Sequence, residues 1–345
     1  MVFLNKSTGG LTAPNGKFYQ GAEQLEDSER KEETGGMNIM LRYTVKRFLS
    51  MLLTLFLATT ATFFLMHAIP GEPFEISRET PESVKEAMYA KYGLDKPLFE
   101  QYLIYMKNLL HGDFGSSMKF KGQTVVGEVV KGMPPSAIIG FFGVLIGCLI
   151  GSVLGVLAAL KNKGAVDYIV IVLAIIGVSV PSFVFASLIQ RVFAVDLRWF
   201  PVQGWKTLAC WVLPIAAASF NNIAHYARML RTSMLDTMGQ DYIATAKSKG
   251  LSQSEVVVHH MFRNSFLPLV TSLGPMCAGV LTGNFVLEKI FNIPGIGQAM
   301  ILAIQNLDYT MIMGLNIIFS SIAIICYFIT DIVYGLVDPR IRITK

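Results

Sequence analysis

The chain has 345 residues, of which 52% are hydrophobic and only 15% are charged, and its formal net charge is +5. Soluble globular domains carry roughly 25% charged residues, so this composition excludes an ordinary soluble domain and predicts a protein that crosses a membrane several times. The positive charge does not indicate a nucleic-acid partner, because basic residues on the cytoplasmic loops of membrane proteins produce the same excess.

The first segment, 1–39, is polar, glycine-rich and slightly acidic. A secretory signal peptide has a basic opening, an apolar stretch and a cleavage site, and this segment lacks that pattern. We expect a solvated extension, an expression remnant or a mis-assigned start, and we assign it no function. A single transmembrane domain is then expected over 40–345.

Six apolar runs are long enough to cross a bilayer, which takes about 20 residues of helix. They lie at 47–69, 136–160, 167–195, 208–232, 267–288 and 311–337. The sequence therefore predicts an all-α polytopic membrane protein with six transmembrane helices. The segment 70–135 is too polar to cross the membrane, and its helical spacing predicts a cap packed on the bundle, a docking surface for a soluble partner, or both.

Basic residues cluster at four places along the chain. The clusters are Arg42, Lys46 and Arg47; Lys161 and Lys163; Arg228, Arg231, Lys247, Lys249 and Arg263; and Arg340, Arg342 and Lys345. With six spans, all four clusters fall on the same side of the membrane. Since lysine and arginine are concentrated on the cytoplasmic side, we expect both termini in the cytoplasm and 70–135 outside.

The second apolar run carries a glycine at every fourth position. These glycines are Gly143, Gly147, Gly151 and Gly155. A stripe of small residues lets a second helix backbone approach closely, in an environment where lipid offers no hydrophobic drive for helices to associate. The stripe predicts tight helix packing and indicates nothing about a substrate.

A polar, cationic segment at 236–266 separates two of the apolar runs. Asp241 can cap a first short helix, Gly250 can end that helix in the left-handed conformation, and 252–255 fits a capping box that begins a second helix. Pro268 suits the first turn of the membrane helix that follows. We predict two short, rigid helices that a soluble partner grips.

The sequence contains no residue pattern for catalysis or metal binding. It has no phosphate loop of the Gly-x-x-x-x-Gly-Lys-Ser/Thr type, so we expect no ATP or other cofactor on this chain. His259 and His260 are adjacent, hence on different helix faces, and are poor joint metal ligands. The cysteines lack paired spacing and are predicted to be buried thiols; they are Cys148, Cys210, Cys277 and Cys326.

Polar residues inside the predicted spans mark a candidate translocation path, because an unpaired polar group in hydrocarbon is costly. They are Asn221, Asn222 and His225 in the fourth span, Asn284 in the fifth, near Glu288, and Asn316 in the sixth. The alternative for each is a hydrogen bond to a neighbouring helix. The spans contain no mid-membrane pair of carboxylates of the kind that an ion-coupled carrier needs, which favours an external energy source.

Several motifs resemble those of ABC importer permeases. Ala244-Thr-Ala246, Gly250 and Leu267-Pro268 resemble the cytoplasmic coupling loop, with Ala244 where the general consensus has glutamate. The long Gly-to-Pro distance is similar to that of the peptide-importer branch. The remaining motifs resemble the first membrane subunit of oligopeptide and dipeptide importers: Pro70-Gly71, Tyr92-Gly-Leu-Asp-Lys-Pro97 with Gln101-Tyr102, Gly112-Asp-Phe-Gly115, Phe291-Asn-Ile-Pro-Gly-Ile-Gly297, Asp308-Tyr309 with Gly314, and Asp338-Pro-Arg-Ile-Arg342.

This resemblance implies a type I ABC importer permease in a bacterial inner membrane. It implies a second homologous permease subunit, two cytoplasmic ATPases that bind ATP and magnesium, and an extracytoplasmic peptide-binding protein. The residues expected to couple this chain to an ATPase are Asp241, Tyr242, Ala244, Thr245, Ala246, Lys247, Gly250 and Leu251. Oligopeptide import is the expected function. Nickel, glutathione or another small solute are alternative cargoes, and an ion-coupled carrier or a structural membrane protein are alternative classes.

Overall fold

The computed structural model describes residues 44–68, 83, 86–87, 89–90, 93–281 and 283–337. These residues form helices and connecting turns without a β-strand; an isolated bridge joins Ser116 to Thr124. The extension 1–39, the motif at 70–71 and the terminal motif 338–342 lie outside the described residues. The chain divides into two compact units, 1–52 with 332–345 and 53–331, and the contacts given below lie within the second.

Thirteen α-helices make up most of the part of the chain that the structure describes. They are α1 Thr44–Ala68, α2 Leu98–Leu110, α3 Val125–Leu160, α4 Ala165–Ser179, α5 Ser182–Ile189, α6 Ala209–Met238, α7 Asp241–Ser248, α8 Gln253–Glu255, α9 Arg263–Ser265, α10 Leu267–Leu281, α11 Phe285–Ile290, α12 Ile296–Gln305 and α13 Tyr309–Val337. Two π-helical segments, Gln190–Asp196 and Val256–Phe262, continue α5 and connect α8 to α9.

Three helical segments are long and apolar enough to cross a membrane: Thr44–Ala68, Val125–Leu160 and Tyr309–Thr330. The pair Ala165–Ser179 and Ser182–Asp196 is a fourth candidate, bent by 102° at the break between its halves. Pro181 explains the break, because proline cannot donate the helical hydrogen bond and it disfavours the helical conformation of the residue before it.

Two predicted boundaries are wrong. The helix α3 begins at Val125 rather than near 136 and passes through Pro134 and Pro135. Its first turns carry Glu128 and Lys131, so hydropathy alone separates them from the apolar run. The predicted run 267–288 is not one helix either, since α10 ends at Leu281 and α11 begins at Phe285.

The glycine stripe lies where α3 crosses α6. A Cβ atom built on Gly143, Gly151 or Gly155 would stand 2.7 Å from an atom of α6, and one on Gly147 would collide with Asn222. Such distances are shorter than van der Waals contact, so these positions exclude any side chain unless the helices separate. The two backbones are therefore in direct contact along this stretch, as expected from small residues at membrane helix interfaces.

A buried apolar cluster lies under the polar segment that connects α6 to α10. It joins Leu230 and Met234 of α6, Ile243 of α7, and Val256 and Met261 of the π-helical segment, all of them 1% exposed or less. This cluster holds the short helices firmly on the end of the bundle.

Candidate coupling surface and translocation cavity

The helix α7 is the first of the two short helices in the predicted coupling segment. Its N-cap is Gln240, which makes no side-chain cap, and Asp241 is the first helical residue. The prediction that Asp241 caps the helix is therefore wrong by one position, because the carbonyl of Gln240 already accepts from the N–H of Ile243 at 3.0 Å. In the first turn the Asp241 carboxylate complements the positive end of the helix dipole.

The end of α7 is a Schellman motif centred on Gly250. Gly250 has φ +82°, the left-handed conformation that the sequence predicts. Its N–H donates to the carbonyl of Lys247 at 3.0 Å, and the N–H of Leu251 donates to the carbonyl of Ala246 at 3.4 Å. These two bonds satisfy the last carbonyls of the helix. A Cβ at this position would meet nothing within 4 Å, so the requirement for glycine is conformational rather than steric.

The predicted capping box at the start of α8 is confirmed. The hydroxyl of Ser252 accepts from the N–H of Glu255 at 3.3 Å, and the Glu255 carboxylate accepts from the N–H of Ser252 at 2.8 Å. Hydrogen bonds from the hydroxyl and the backbone of Ser252 lower the pKa of Glu255 below its ordinary value. Each of the two bonds satisfies a backbone N–H at the helix start that has no acceptor within the helix.

Two further hydrogen bonds tie the segment to itself and to α6. At its base, the buried hydroxyl of Ser265 donates to Oγ1 of Thr237 at 2.9 Å. Nearer the tip, the amide of Asn264 donates to the Tyr242 hydroxyl at 3.0 Å. The segment is therefore closed where it leaves and re-enters the bundle, and its two halves are joined across the loop.

The outward surface of the segment contains seven of the eight predicted coupling residues. These are Asp241, Tyr242, Ala244, Thr245, Lys247, Gly250 and Leu251, and all of them are exposed. Ala246 is only 4% exposed and packs in the apolar cluster below, so it supports the helix from inside. The result is a polar surface on a rigid base.

An ion pair that sequence reasoning missed joins α4 to α6. The carboxylate of Asp167, which is 2% exposed, accepts from Nε and Nη2 of Arg231 at 2.5 and 2.8 Å. It also accepts from the backbone N–H of Lys163 at 2.9 Å. A two-point contact between arginine and carboxylate fixes the relative orientation of the two helices. The available signal was an aspartate in the first turn of an otherwise apolar run.

A cavity of about 280 Å³, here called the bundle cavity, lies among α3, α5, α6, α10 and α11. Three of the five predicted path residues line it: Asn221, Asn222 and Asn284. The Asn221 Oδ1 atom is buried and has no hydrogen-bond partner among the described residues. The Nδ2 group of Asn222 donates to the carbonyl of Ala218 at 3.0 Å, within its own helix.

The other two predicted path residues do not line the bundle cavity. His225 lies one turn further along α6, with its ring edge-on to Tyr226 at 5.7 Å between centroids. Of the three polar residues predicted in the fourth span, Asn221 and Asn222 therefore line the cavity and His225 does not. Asn316 donates to Oγ1 of Thr62 at 2.7 Å and joins α13 to α1, which is the interhelical alternative that the sequence left open.

A buried carboxylate, that of Glu288, also lines the bundle cavity. Glu288 is 1% exposed and accepts from the Ser136 hydroxyl at 2.7 Å and from the backbone N–H of Gln298 at 3.0 Å. The same Ser136 oxygen accepts from the N–H of Ile296 at 3.0 Å. Together the two side chains satisfy N–H groups at the start of α12, so the motif at 291–297 serves to anchor that helix to α3.

Two other motifs meet at the start of α13. Asp308 accepts from the Ser117 hydroxyl and from the N–H groups of Met118 at 3.1 Å and Met311 at 3.2 Å. Gly115, at φ +89°, lies against Thr310 with no room for a side chain. The segment 111–124 is thereby held over the first turn of α13.

Metal-binding clusters are absent from the part of the chain that the structure describes, where no three His, Cys, Asp or Glu side chains could hold an ion together. Cys148, Cys210 and Cys326 are half-buried free thiols. Neither His259 nor His260 belongs to a ligand cluster in this part of the chain.

Several helices that are long and apolar enough to cross a membrane, together with an exposed polar helix pair on one end of the bundle, define a polytopic membrane protein. The family model for the inner membrane component of binding-protein-dependent transport systems matches residues 151–343. A model for the N-terminal part of such a membrane component matches residues 40–125. The chain belongs to this family of transport-system membrane components.

Permease proteins of peptide transport systems match nearly the whole chain. The dipeptide transport system permease protein DppB of Bacillus subtilis is 44% identical over 306 residues, which are 89% of this chain and 99% of that protein. The oligopeptide transport system permease protein OppB of Haemophilus influenzae is 39% identical over 305 residues, 88% of this chain and 100% of that protein. A solved amino acid ABC transporter aligns with 62% of this chain and 94% of its own, with 15% identity and a TM-score of 0.47.

Proposed function

We propose that the chain is the permease subunit of an ATP-driven importer and forms half of a translocation path for oligopeptides. The observation that carries the proposal is the exposed surface of α7 and the 250–255 turn on a base closed by Ser265 and Thr237. The identity of 44% to a dipeptide permease supports peptide as the cargo. No phosphate loop occurs in the sequence, so ATP and magnesium belong on partner ATPases.

The proposed topology has six spans, formed by α1, α3, α4 with α5, α6, α10 and α13. Both termini then lie in the cytoplasm and 70–135 lies outside a bacterial inner membrane, with 1–39 as an extension ahead of the transmembrane domain 40–345. A test uses single cysteines at Lys163, Lys249 and Lys119 in a background without the native cysteines. An impermeant thiol reagent added outside should label position 119 alone, and labelling at 249 would reverse the proposed orientation.

Coupling follows from how the segment is fixed. When two ATPases close on ATP, the exposed residues of α7 would move with the ATPase surface that binds them. Because Ile243 and Ala246 are buried against the bundle, that displacement would pass into α6 rather than bend the loop. ATPase contacts that differ between inward-facing and outward-facing states would then bias the transport cycle.

The proposed path passes the bundle cavity. A peptide backbone offers N–H and C=O groups at every residue, and asparagine amides can pair with both while ignoring side chains. The unpaired oxygen of Asn221 is the group that such a backbone N–H would satisfy. Asn222 and Asn284 share the lining, whereas the bond from Asn316 to Thr62 favours a packing role for that residue.

The proposed partners are a second homologous permease subunit, two cytoplasmic ATPases and an extracytoplasmic binding protein. The test is peptide uptake in proteoliposomes that contain all membrane and ATPase subunits with the binding protein outside. We expect uptake to require ATP hydrolysis and to survive the collapse of ion gradients. Uptake that persists without the ATPases and follows an ion gradient would establish the alternative class, a secondary carrier. Competition by nickel or glutathione, but not by peptides, would reassign the cargo.

A further inference from the structure

A second cavity, of about 620 Å³, lies between α1, α2, the segment 111–124 and the first turns of α13. We call it the loop cavity. Its volume falls within the range of roughly 300–1,000 Å³ that is typical of small-molecule sites. None of the roles proposed above uses it, although the anchoring of 111–124 by Asp308 gives it a fixed wall.

Tyr105 is one of the residues that line the loop cavity, and its side chain ends in a buried hydroxyl group. The Tyr105 oxygen is buried and makes no hydrogen bond to any of the described residues. Burial raises the pKa of Tyr105 above its ordinary value, so the group is a neutral O–H donor at physiological pH. Leaving a buried donor unsatisfied costs roughly 1–3 kcal/mol, and an acceptor on a ligand would remove that cost.

Two lysines, Lys119 and Lys121, line the same cavity, and neither forms an ion pair with any residue that the structure describes. Lys121 is exposed and Lys119 is half-buried. One acidic residue, Asp113, is also in the lining, but its Oδ1 atom accepts from the N–H of Gly115 at 2.9 Å. Among the described lining residues, the two lysines therefore outnumber the one aspartate.

Two lysines outside the cavity lining, Lys96 and Lys131, form ion pairs on the surface. Lys96 pairs with Glu100 at 2.9 Å, and Lys131 lies 3.7 Å from Glu128. Lys119 and Lys121, by contrast, have no ion pair among the described residues, and they line the same cavity as Tyr105. A group that accepts hydrogen bonds and carries negative charge would complement both features.

We propose that the loop cavity binds the C-terminal carboxylate of a short peptide. Tyr105 donates to the carboxylate, Lys119 and Lys121 balance its charge, and the exposed amide of Asn108 lies in the lining beside the following peptide group. A carboxylate alone would fill only a small part of this volume, which has room for several residues of a chain end. The inference rests on the proposed function in taking peptide as the cargo.

The test uses the full chain in lipid nanodiscs with its native cysteines replaced and with Ser116→Cys as a reporter, because Ser116 is exposed in the cavity lining. The rate at which a thiol reagent modifies position 116 is measured against the concentration of added peptide. Acetyl-trialanine, which has a free carboxylate, should slow the modification. The same peptide with a C-terminal amide should protect at least about tenfold less well, as expected for the loss of a charge-assisted contact.

Variants of the lining residues then test which side chains bind the carboxylate. Replacing both Lys119 and Lys121 with Gln should raise the half-protecting concentration of acetyl-trialanine about tenfold, and Tyr105→Phe should raise it severalfold. Lys107→Gln is the control for a lysine-to-glutamine change outside the site, because it removes one positive charge from an exposed position of α2 that does not line the cavity; it should change nothing. Equal protection by the amide peptide, or no shift in the lysine variant, would overturn the proposal.

One further probe separates two sources of the carboxylate. Acetyl-Ala-Glu-Ala-amide carries its negative charge on a side chain, as an acidic loop of a protein partner would. If it protects as well as acetyl-trialanine, the assignment to a peptide end is wrong. The labelling needs no ATPase subunit, so a failure here alongside normal ATP-dependent uptake rejects the loop cavity alone and leaves the proposed function standing.

Discussion

The contact between α3 and α6 is built in two different ways along its length. From Gly143 to Gly155 the helices meet backbone to backbone, with no space for a methyl group. The lining of the bundle cavity takes residues of α3 between Ser136 and Val144, and it includes the amides of Asn221 and Asn222. Asn222 belongs to both regions, since it lines the cavity and also packs on Gly147.

This difference separates residues that hold the helices together from residues free to meet a substrate. In the contact region a Cβ on any of the four glycines would stand 2.7 Å or less from an atom of α6, so added volume there must move a helix. In the cavity region there is open volume and an unpaired amide oxygen. Substitutions in the first region should alter stability, and those in the second should alter transport.

The largest expected effect comes from adding a methyl group to the contact region. Gly151→Ala would place its Cβ 2.7 Å from the carbonyl oxygen of Ile223, and such overpacking costs about 1–3 kcal/mol. We expect a lower melting temperature for the purified protein, measured by the fluorescence of a thiol-reactive dye during heating.

A matched control lies in the cavity region. Gly279 is also a helical glycine, but a Cβ on it would meet nothing within 4 Å. Gly279→Ala should leave the melting temperature unchanged or raise it slightly, because alanine favours the helix over glycine by about 1 kcal/mol. If the two variants lose the same stability, the distinction between the regions is wrong.

Local features of the contact region and of the segment between α6 and α10 were predictable from the sequence. The glycine stripe, the left-handed Gly250 and the capping box each depend on residues within a few positions of one another. The junctions were not predictable: Arg231 lies 64 residues from Asp167 and Ser136 lies 152 from Glu288. Their partners are set by how whole helices pack. The start of α3 was missed because its first turns carry charge. That Asn222 lines the bundle cavity and His225 does not depends on where α3 packs, which the sequence does not give.

A smaller effect on stability, but a large one on coupling, is expected in the segment that continues from α6. Gly250→Val forces a β-branched residue into the left-handed conformation at a cost of about 1–2 kcal/mol. A Cβ at this position would meet nothing within 4 Å, so the helices of the bundle should keep their contact. We expect ATP hydrolysis by the complete importer to continue while peptide uptake falls severalfold.

The informative control is Gly250→Asn, since asparagine tolerates positive φ better than valine does. It should retain most of the uptake. Normal uptake by an intact complex that carries Gly250→Val would show that the geometry at the end of α7 does not transmit movement to α6.

The smallest effect on stability is expected at Asn221, and this substitution tests the cavity region most directly. Asn221→Leu removes an amide whose oxygen has no partner among the described residues. No hydrogen bond of that oxygen is lost, so the change in folding free energy should be near zero. The melting temperature should therefore stay within about 1 °C. If this oxygen accepts from a peptide N–H during passage, losing one such bond costs about 1 kcal/mol, and uptake should fall about fivefold.

Asn316→Leu is the contrasting variant, because it breaks the bond to Thr62 at 2.7 Å and should lower stability more than Asn221→Leu does. Uptake and melting temperature measured together decide between the roles. A loss of stability with Asn221→Leu, or unchanged uptake of several different peptides, would place Asn221 with the residues that only hold the helices together.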